Sequence, residues 1–462
     1  MGLMMAFGWA SIALCIGTLL RAKIPAFRKM LIPASVIGGI LGMIFMNAMS
    51  AAGICVGVDS SMYTSIVNHL FTLSFISISL TRPPKHEDKR GKEVLRGALG
   101  MGIVWCLLYA LTPLAGAGII ALVGSDAGMD RMYGTLIPFA FTQGPGQAAA
   151  FGALYESYGW ENAGSVGVTF AAVGFLAAFL FGIPAAKSGI RRGLAKNCGN
   201  LSETVLRGYF KKEEQTTYMV RDTTVSSNIE TLTYHFALIG LCYILAIGIS
   251  KILGLLPGFL GNSMEGLMFM NGMYAAYIVR WLTKKLHIDF LQEDALQGKI
   301  TGWTADYLVV CAFMAVGIAT LGSWLGPMLI ECVVITALTF AVCFYFGSRF
   351  GGKNDFERTL GLYGTATGTV PSGIALVRIV DPYLTTTTAV ELGMMNLVML
   401  LCTPVYLVLL AMASGSLRFE IGLVVMVAAI VVYLVLLKLT GTWRKKSYFW
   451  NGGNQADGDD IL

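Results

Sequence analysis

Charge is what this sequence has least of. Only 13% of its 462 residues are Asp, Glu, Lys or Arg, against 55% that are hydrophobic, where a soluble domain carries about 25% charged residues. That shortfall excludes an ordinary soluble domain and points to a polytopic membrane protein. The net charge of +6 makes no nucleic-acid surface, because the basic residues fall between apolar runs, where they fix topology. Nine cysteines include no CxxC pair and sit mostly inside apolar runs; they read as small core residues, not as a metal or disulfide framework. His69, His86, His235 and His287 are too scattered for a metal site or a proton relay. No nucleophile with a base, phosphate loop or zinc pattern stands out, and the GxG at 144–146 follows no strand. Enzyme chemistry is therefore not expected. A basic, cleavable leader is missing too, so Gly2 to Leu20 reads as a first span.

Long apolar runs are what the sequence does have. They lie at about 3–20, 31–49, 65–81, 98–123, 162–186, 234–256, 264–282, 304–321, 324–346, 388–412 and 417–437. The fold class expected is all-α, with about 11 transmembrane helices. Arg21, Lys23, Arg28 and Lys29 follow the first run; Arg82, Lys85, Lys89, Arg90, Lys92 and Arg96 follow the third; eight more basic residues lie in 187–221. The intervening loops 51–64 and 124–134 hold only Arg131. The positive-inside rule then places the N-terminus outside and the basic loops in the cytoplasm, in a cell inner (plasma) membrane.

Two further apolar stretches are broken in the middle. Phe139–Leu154 reads FAFTQGPGQAAAFGAL, and Tyr363–Ile379 reads YGTATGTVPSGIALVRI. Glycine and proline break helices, and irregular backbone at membrane depth persists only when buried in protein or facing water. Both stretches are expected to be re-entrant hairpins, 133–158 and 356–381. Placing Gly146 over Gly368 aligns them at a separation of 222 residues, 368 minus 146. The first must enter from outside. The second, after Arg349, Lys353 and Arg358, opens to the cytoplasm.

The chain therefore divides into two inverted-topology repeats of five spans and one hairpin each, 1–186 and 234–412. Between them, 187–233 is a cytoplasmic linker carrying KKEE at 211–214. An extra span, 413–440, lies outside the repeat. The tail 441–462 is anchored in the cytoplasm by Trp443, Arg444, Lys445 and Lys446, and is polar and acidic at Asp457, Asp459 and Asp460. Inverted repeats with broken elements meeting at the midplane are the signature of secondary transporters.

The hairpin tips carry the candidate chemistry. Free N–H groups at helix starts favour an anion, while unwound carbonyls and hydroxyls suit a hard cation such as sodium. Thr142, Gln143, Gly144, Gly146 and Gln147 are the candidates in the first tip; Thr365, Thr367, Gly368, Thr369 and Ser372 are those in the second. The competing account is that these hydroxyls only cap helix ends. Arg378 is a candidate clamp for a carboxylate, or else an ion-pair partner of Asp381 or an anchor at the cytoplasmic mouth. Asn396 offers either a binding group or an interhelical hydrogen bond. Glu331, Glu391 and Asp306 are expected at span boundaries. Gly38, Gly39 and Gly42, with Gly164, Gly167 and Gly174, permit close helix crossings.

These tips resemble those of the bacterial sodium/glutamate symporter family. That family's first tip has the form G-x-G-x-G-A-A, matched here by Gln143, Gly144, Pro145, Gly146, Gln147, Ala148 and Ala149. Its second has G-A-T-P-T-A-I-A, matched by Gly368, Thr369, Val370, Pro371, Ser372, Gly373, Ile374 and Ala375. The resemblance implies an elevator-type homodimer, each subunit with a scaffold and a transport part that carries both hairpins. It also implies symport of glutamate or a similar small organic anion, with Na+ as coupling ion and no other cofactor. The chain departs from the family at Pro145, Gln147, Leu376 and Arg378 and in its extra span. Two alternatives stay open: a proton-coupled carrier or exporter of another metabolite, and a channel lined by the two hairpins.

Overall fold

The computed structural model describes residues 2–30, 32–54, 56–81, 91–195, 211–212, 222–382 and 384–449. Most of the linker, at 196–210 and 213–221, and the acidic tail from 450 lie outside the described residues. The first half is built from α1 (Gly2–Lys23), α2 (Pro25–Met30), α3 (Ala34–Ala51), α4 (Ser60–Leu80), α5 (Gly91–Val123), α6 (Ile137–Phe141), α7 (Pro145–Ser157) and α8 (Ala163–Arg191). The second half has α9 (Thr231–Gly254), α10 (Phe259–Gly266), α11 (Met268–Lys285), α12 (Asp294–Met314), α13 (Ile318–Leu321), α14 (Leu325–Gly347), α15 (Asp355–Ala366), α16 (Val370–Val380), α17 (Thr388–Val398), α18 (Thr403–Ala413) and α19 (Phe419–Leu439). No strand occurs among the described residues.

Eight of these helices are long and apolar enough to cross a membrane: α1, α3, α4, α5, α8, α9, α14 and α19. Three further expected spans are helical but fall outside that set for visible reasons. Arg280, Lys284 and Lys285 end α11. Asp294, Lys299 and Asp306 dilute the apolar face of α12. The run 388–412 is divided by the tight turn Met399–Cys402, after which Pro404 sits in the first turn of α18, where its missing N–H costs nothing.

The helices pack in two groups. In one, α4 lies against α11 and α12, α3 against α1 and α12, and α9 against α11. Small residues let the backbones approach: a Cβ on Gly17 would lie 2.6 Å from the Gly38 nitrogen, and one on Gly42 would lie 2.7 Å from Met314 Cγ. Each such contact gains dispersion over a long seam, the main attraction available to helices that share an apolar solvent. In the other group, α5 is the spine. Its 33 residues, about 50 Å at 1.5 Å per residue, carry α14, α17, α19 and the segment Arg131–Leu136, while α8 packs on α6, α7, α15 and α16. The groups meet chiefly where α4 and α12 touch α7 and α8.

Candidate functional site

Both interrupted stretches are helix–break–helix elements, and the local chemistry of each break is explicit. In the first, α6 ends at Phe141, Thr142 to Gly144 form the break, and α7 starts at Pro145. Gly144 adopts φ +77°, a left-handed value that glycine reaches without a steric penalty, and Pro145 takes the first helical position, where it is tolerated best. In the second, α15 ends at Ala366 and α16 starts at Val370 behind an extended Thr369, with Pro371 again in the first turn. Gly364 and Gly373 bring the arms of that element together, a Cβ on Gly364 falling 2.8 Å from the Gly373 Cα.

The two breaks touch. A Cβ on Gly144 would sit 2.6 Å from Thr369 Cγ2 and 3.1 Å from the Gly368 carbonyl oxygen, too close for any side chain. Helix α8 runs behind both: a Cβ on Gly174 would lie 2.7 Å from the Thr367 carbonyl oxygen and 3.3 Å from the Phe141 ring. Four helix ends thus converge on one small region, the C-termini of α6 and α15 and the N-termini of α7 and α16. By helix geometry the amides of Gly146, Gln147, Val370 and Ser372 have no acceptor within their own helix, while Ala148 and Gly373 already donate to Gly144 and Thr369.

The predicted side chains fall as follows. Thr142, Thr365 and Thr367 are buried, and each hydroxyl donates to a carbonyl four residues back, those of Pro138, Gly361 and Tyr363. Their oxygen lone pairs remain as acceptors. Thr369 and Ser372 hydroxyls face one another at 3.5 Å. Gln143 is buried in the same tip. Gly146 is held under Phe71 of α4, whose ring a Cβ would strike. Gln147 is fully buried; its carbonyl accepts from the Tyr109 hydroxyl, and its amide nitrogen has no partner among the described residues. Trp105, donating 3.0 Å to the Thr142 carbonyl, and Tyr406 complete an aromatic wall around it. Two candidates stand apart. Arg378 is exposed on α16, while Asp381, its expected ion-pair partner, accepts instead from the Thr385 and Thr386 amides at 2.9 and 2.8 Å. Asn396 lies half-buried on α17.

Three charged residues differ from expectation. Arg358, read as a cytoplasmic loop charge, is fully buried and clamps Glu391 through two bonds of 2.7 and 2.6 Å, with Asp355 at 3.0 Å on its third nitrogen. Glu391, read as interfacial, is likewise fully buried in that clamp and also accepts from Thr387 at 2.7 Å. A buried charge survives when it is paired and bonded on all sides; the Asp355-x-x-Arg358 spacing was the available signal. Glu331, read as a boundary residue, is fully buried, and neither carboxyl oxygen has a hydrogen-bond partner among the described residues. No motif announces it. A groove lined by Asn68, Ala153, Ser157, Asn262 and Glu265 runs along the far half of α7, between α4 and α10.

A helical membrane protein whose two broken elements meet inside the helix packing belongs, by architecture, with membrane transporters. Residues 1–385 match the family model for the sodium/glutamate symporter, and the chain is a member of that family. The match covers both tips and stops before α17. No curated protein matches the chain.

Proposed function

We propose that the chain is a sodium-coupled symporter for glutamate or a similar small organic anion, working by alternating access. The observation that carries this reading is the contact of Gly144 with Gly368 and Thr369. Helix N-termini at that contact offer N–H groups to a carboxylate; the carbonyls and hydroxyls of Thr142, Thr365, Thr367, Thr369 and Ser372 offer oxygen to sodium. Gly144, Gly146 and Gly368 let the backbone come close, and Gln143 and Gln147 supply amides. Arg378 and Asn396 are further candidates of the same proposal.

The packing supports two inverted repeats within about eleven spans. The α1–α3 and α9–α11 pairs correspond, as do α3–α12 and α11–α4, and α4 meets its counterpart α12 directly. The re-entrant hairpins 133–158 and 356–381 are then the first and second broken elements, entering from outside and from the cytoplasm. The division into two helix groups supports an elevator in which α5, α8, α14, α17 and both hairpins move against a scaffold of α1, α3, α4, α9, α11 and α12. The remaining parts of the reading are a homodimer in the inner membrane, with the N-terminus outside and the C-terminus cytoplasmic.

The test is uptake of radiolabelled L-glutamate into proteoliposomes of the purified full chain. An inward sodium gradient is expected to drive saturable uptake that choline abolishes. Uptake driven by a pH gradient without sodium would overturn the coupling.

A further inference from the structure

Glu331 is the group that the tip site leaves unexplained. It lies on the second turn of α14, fully buried, and neither carboxyl oxygen has a hydrogen-bond partner among the described residues. Its surroundings are oxygen-rich. A Cβ on Gly116 would collide with Glu331 Oε1 and with the Gly134 carbonyl oxygen, and one on Gly134 would collide with the Gly116 carbonyl. Glu331 Oε1 and the Gly134 carbonyl oxygen thus crowd the same point at the Gly116 Cα, and that carbonyl cannot donate to the carboxyl.

Charged and titratable groups on the elements around it are spent elsewhere or far away. On the segment Arg131–Leu136, Arg131 pairs with Glu420 at 2.9 Å and the Tyr133 hydroxyl donates to the Glu161 backbone carbonyl at 2.8 Å. On α5, Tyr109 donates to Gln147, Cys106 lies further along, and Lys92, Glu93 and Arg96 lie in its first two turns, at least 20 residues from Gly116. Gly322–Trp324 carries no titratable side chain. On α15, Asp355, Glu357 and Arg358 lie toward the other end of α14, where Thr359 meets Gly347, 16 residues and about 24 Å along the helix, while Tyr363 packs on Phe340 and Phe344 and its hydroxyl donates to the Ala177 carbonyl. On α8, Lys187 and Arg191 fall in its last two turns. On α14 itself, Cys332 is the one titratable group adjacent in sequence, a neutral thiol, while Cys343 and Tyr345 lie toward the far end.

A carboxylate buried without a donor is among the most costly groups a protein can hold, and in membrane proteins such a residue marks ion or proton pathways. What the geometry lacks is one positive charge. We propose that Glu331, beside the Gly134 carbonyl, is a monovalent-cation site separate from the hairpin tips. The site lies between α5 and α14 and takes a proton or a sodium ion. The close approach of both glycines suits the proton, which needs no cage. The inference does not rest on the tip reading.

The test is the melting temperature of the purified full chain, wild type against E331Q, measured along two axes. One is sodium replaced by choline at fixed pH; the other is pH 5 to 8 at fixed sodium. A bound proton predicts that wild type loses melting temperature relative to E331Q as pH rises, since the folded state then holds a proton that the unfolded carboxyl has released. Bound sodium predicts instead a sodium-dependent rise in wild type that E331Q lacks. Curves that stay parallel along both axes overturn the proposal. Glutamine matches the neutral carboxyl in shape, so E331Q is expected to fold; should it not, E331D and the carboxylic-acid infrared band of wild type serve the same comparison, a band absent at pH 5 and no sodium response again overturning the site. In a G144A background the wild-type/E331Q difference is expected to persist, which separates this site from the tips.

Discussion

At the scale of single residues, the account turns on glycines that side chains cannot replace and on charges that cannot lose a partner. Gly144→Ala adds a methyl against Thr369 and the Gly368 carbonyl at a backbone angle that costs about 1 kcal/mol or more for alanine. It is expected to abolish sodium-driven uptake while leaving protein in the membrane; uptake within twofold of wild type would remove the tip contact from the mechanism. Arg358→Ala strands Glu391 and Asp355 in the interior, and breaking a buried pair in this way costs about 3–5 kcal/mol. Thermal melts in detergent should show that loss, with recovery when Glu391→Leu is added. The tip residues were legible in the sequence because glycine, proline and threonine in an apolar run contradict a continuous helix. Glu331, Glu391 and Arg358 were not, because each lies near the end of a run, where surface and interior positions look alike until opposing helices are placed. Gly97, whose Cβ would collide with the Glu391 carboxyl, and Gly116 were the complementary signals, and they lie hundreds of residues away.

At the scale of elements, boundaries follow local chemistry. Asp59 caps α4, accepting from Met62 N–H at 3.0 Å and the Ser61 hydroxyl at 2.6 Å. The Ser61 bond, more than any other contact, holds its carboxyl below the usual aspartate range. Asp59→Ala is expected to cost about 1 kcal/mol at pH 7. Because the folded-state value is depressed, that difference is present above about pH 4 and disappears as pH falls through the folded value; paired melts of wild type and D59A across that range check it. Helices arose at all eleven expected runs, since apolar length is a strong signal. Two runs were misread as continuous: 304–321 breaks at 315–317, between α12 and α13, and 388–412 breaks at Met399–Cys402, where Pro404 was the cue. Arg358 also weakens the orientation argument for the second hairpin, leaving Arg349 and Lys353 as the basic residues of that loop.

At the scale of the whole molecule, two groups of helices joined mainly through α4, α7, α8 and α12 are suited to relative motion, and the proposed homodimer would hold one of them still. Light scattering with detergent subtracted is expected to give twice the 49.6 kDa of one chain; a monomer mass would remove the dimer. The central claim is that the two tips form one site in which sodium and a carboxylate substrate bind together. Its most direct measurement is the melting temperature of the purified chain with L-glutamate, in sodium and in choline. A ligand at 100 times its Kd stabilises by about 2.7 kcal/mol, so the account predicts a clear glutamate-dependent rise in sodium and none in choline. A rise of equal size in both would contradict it.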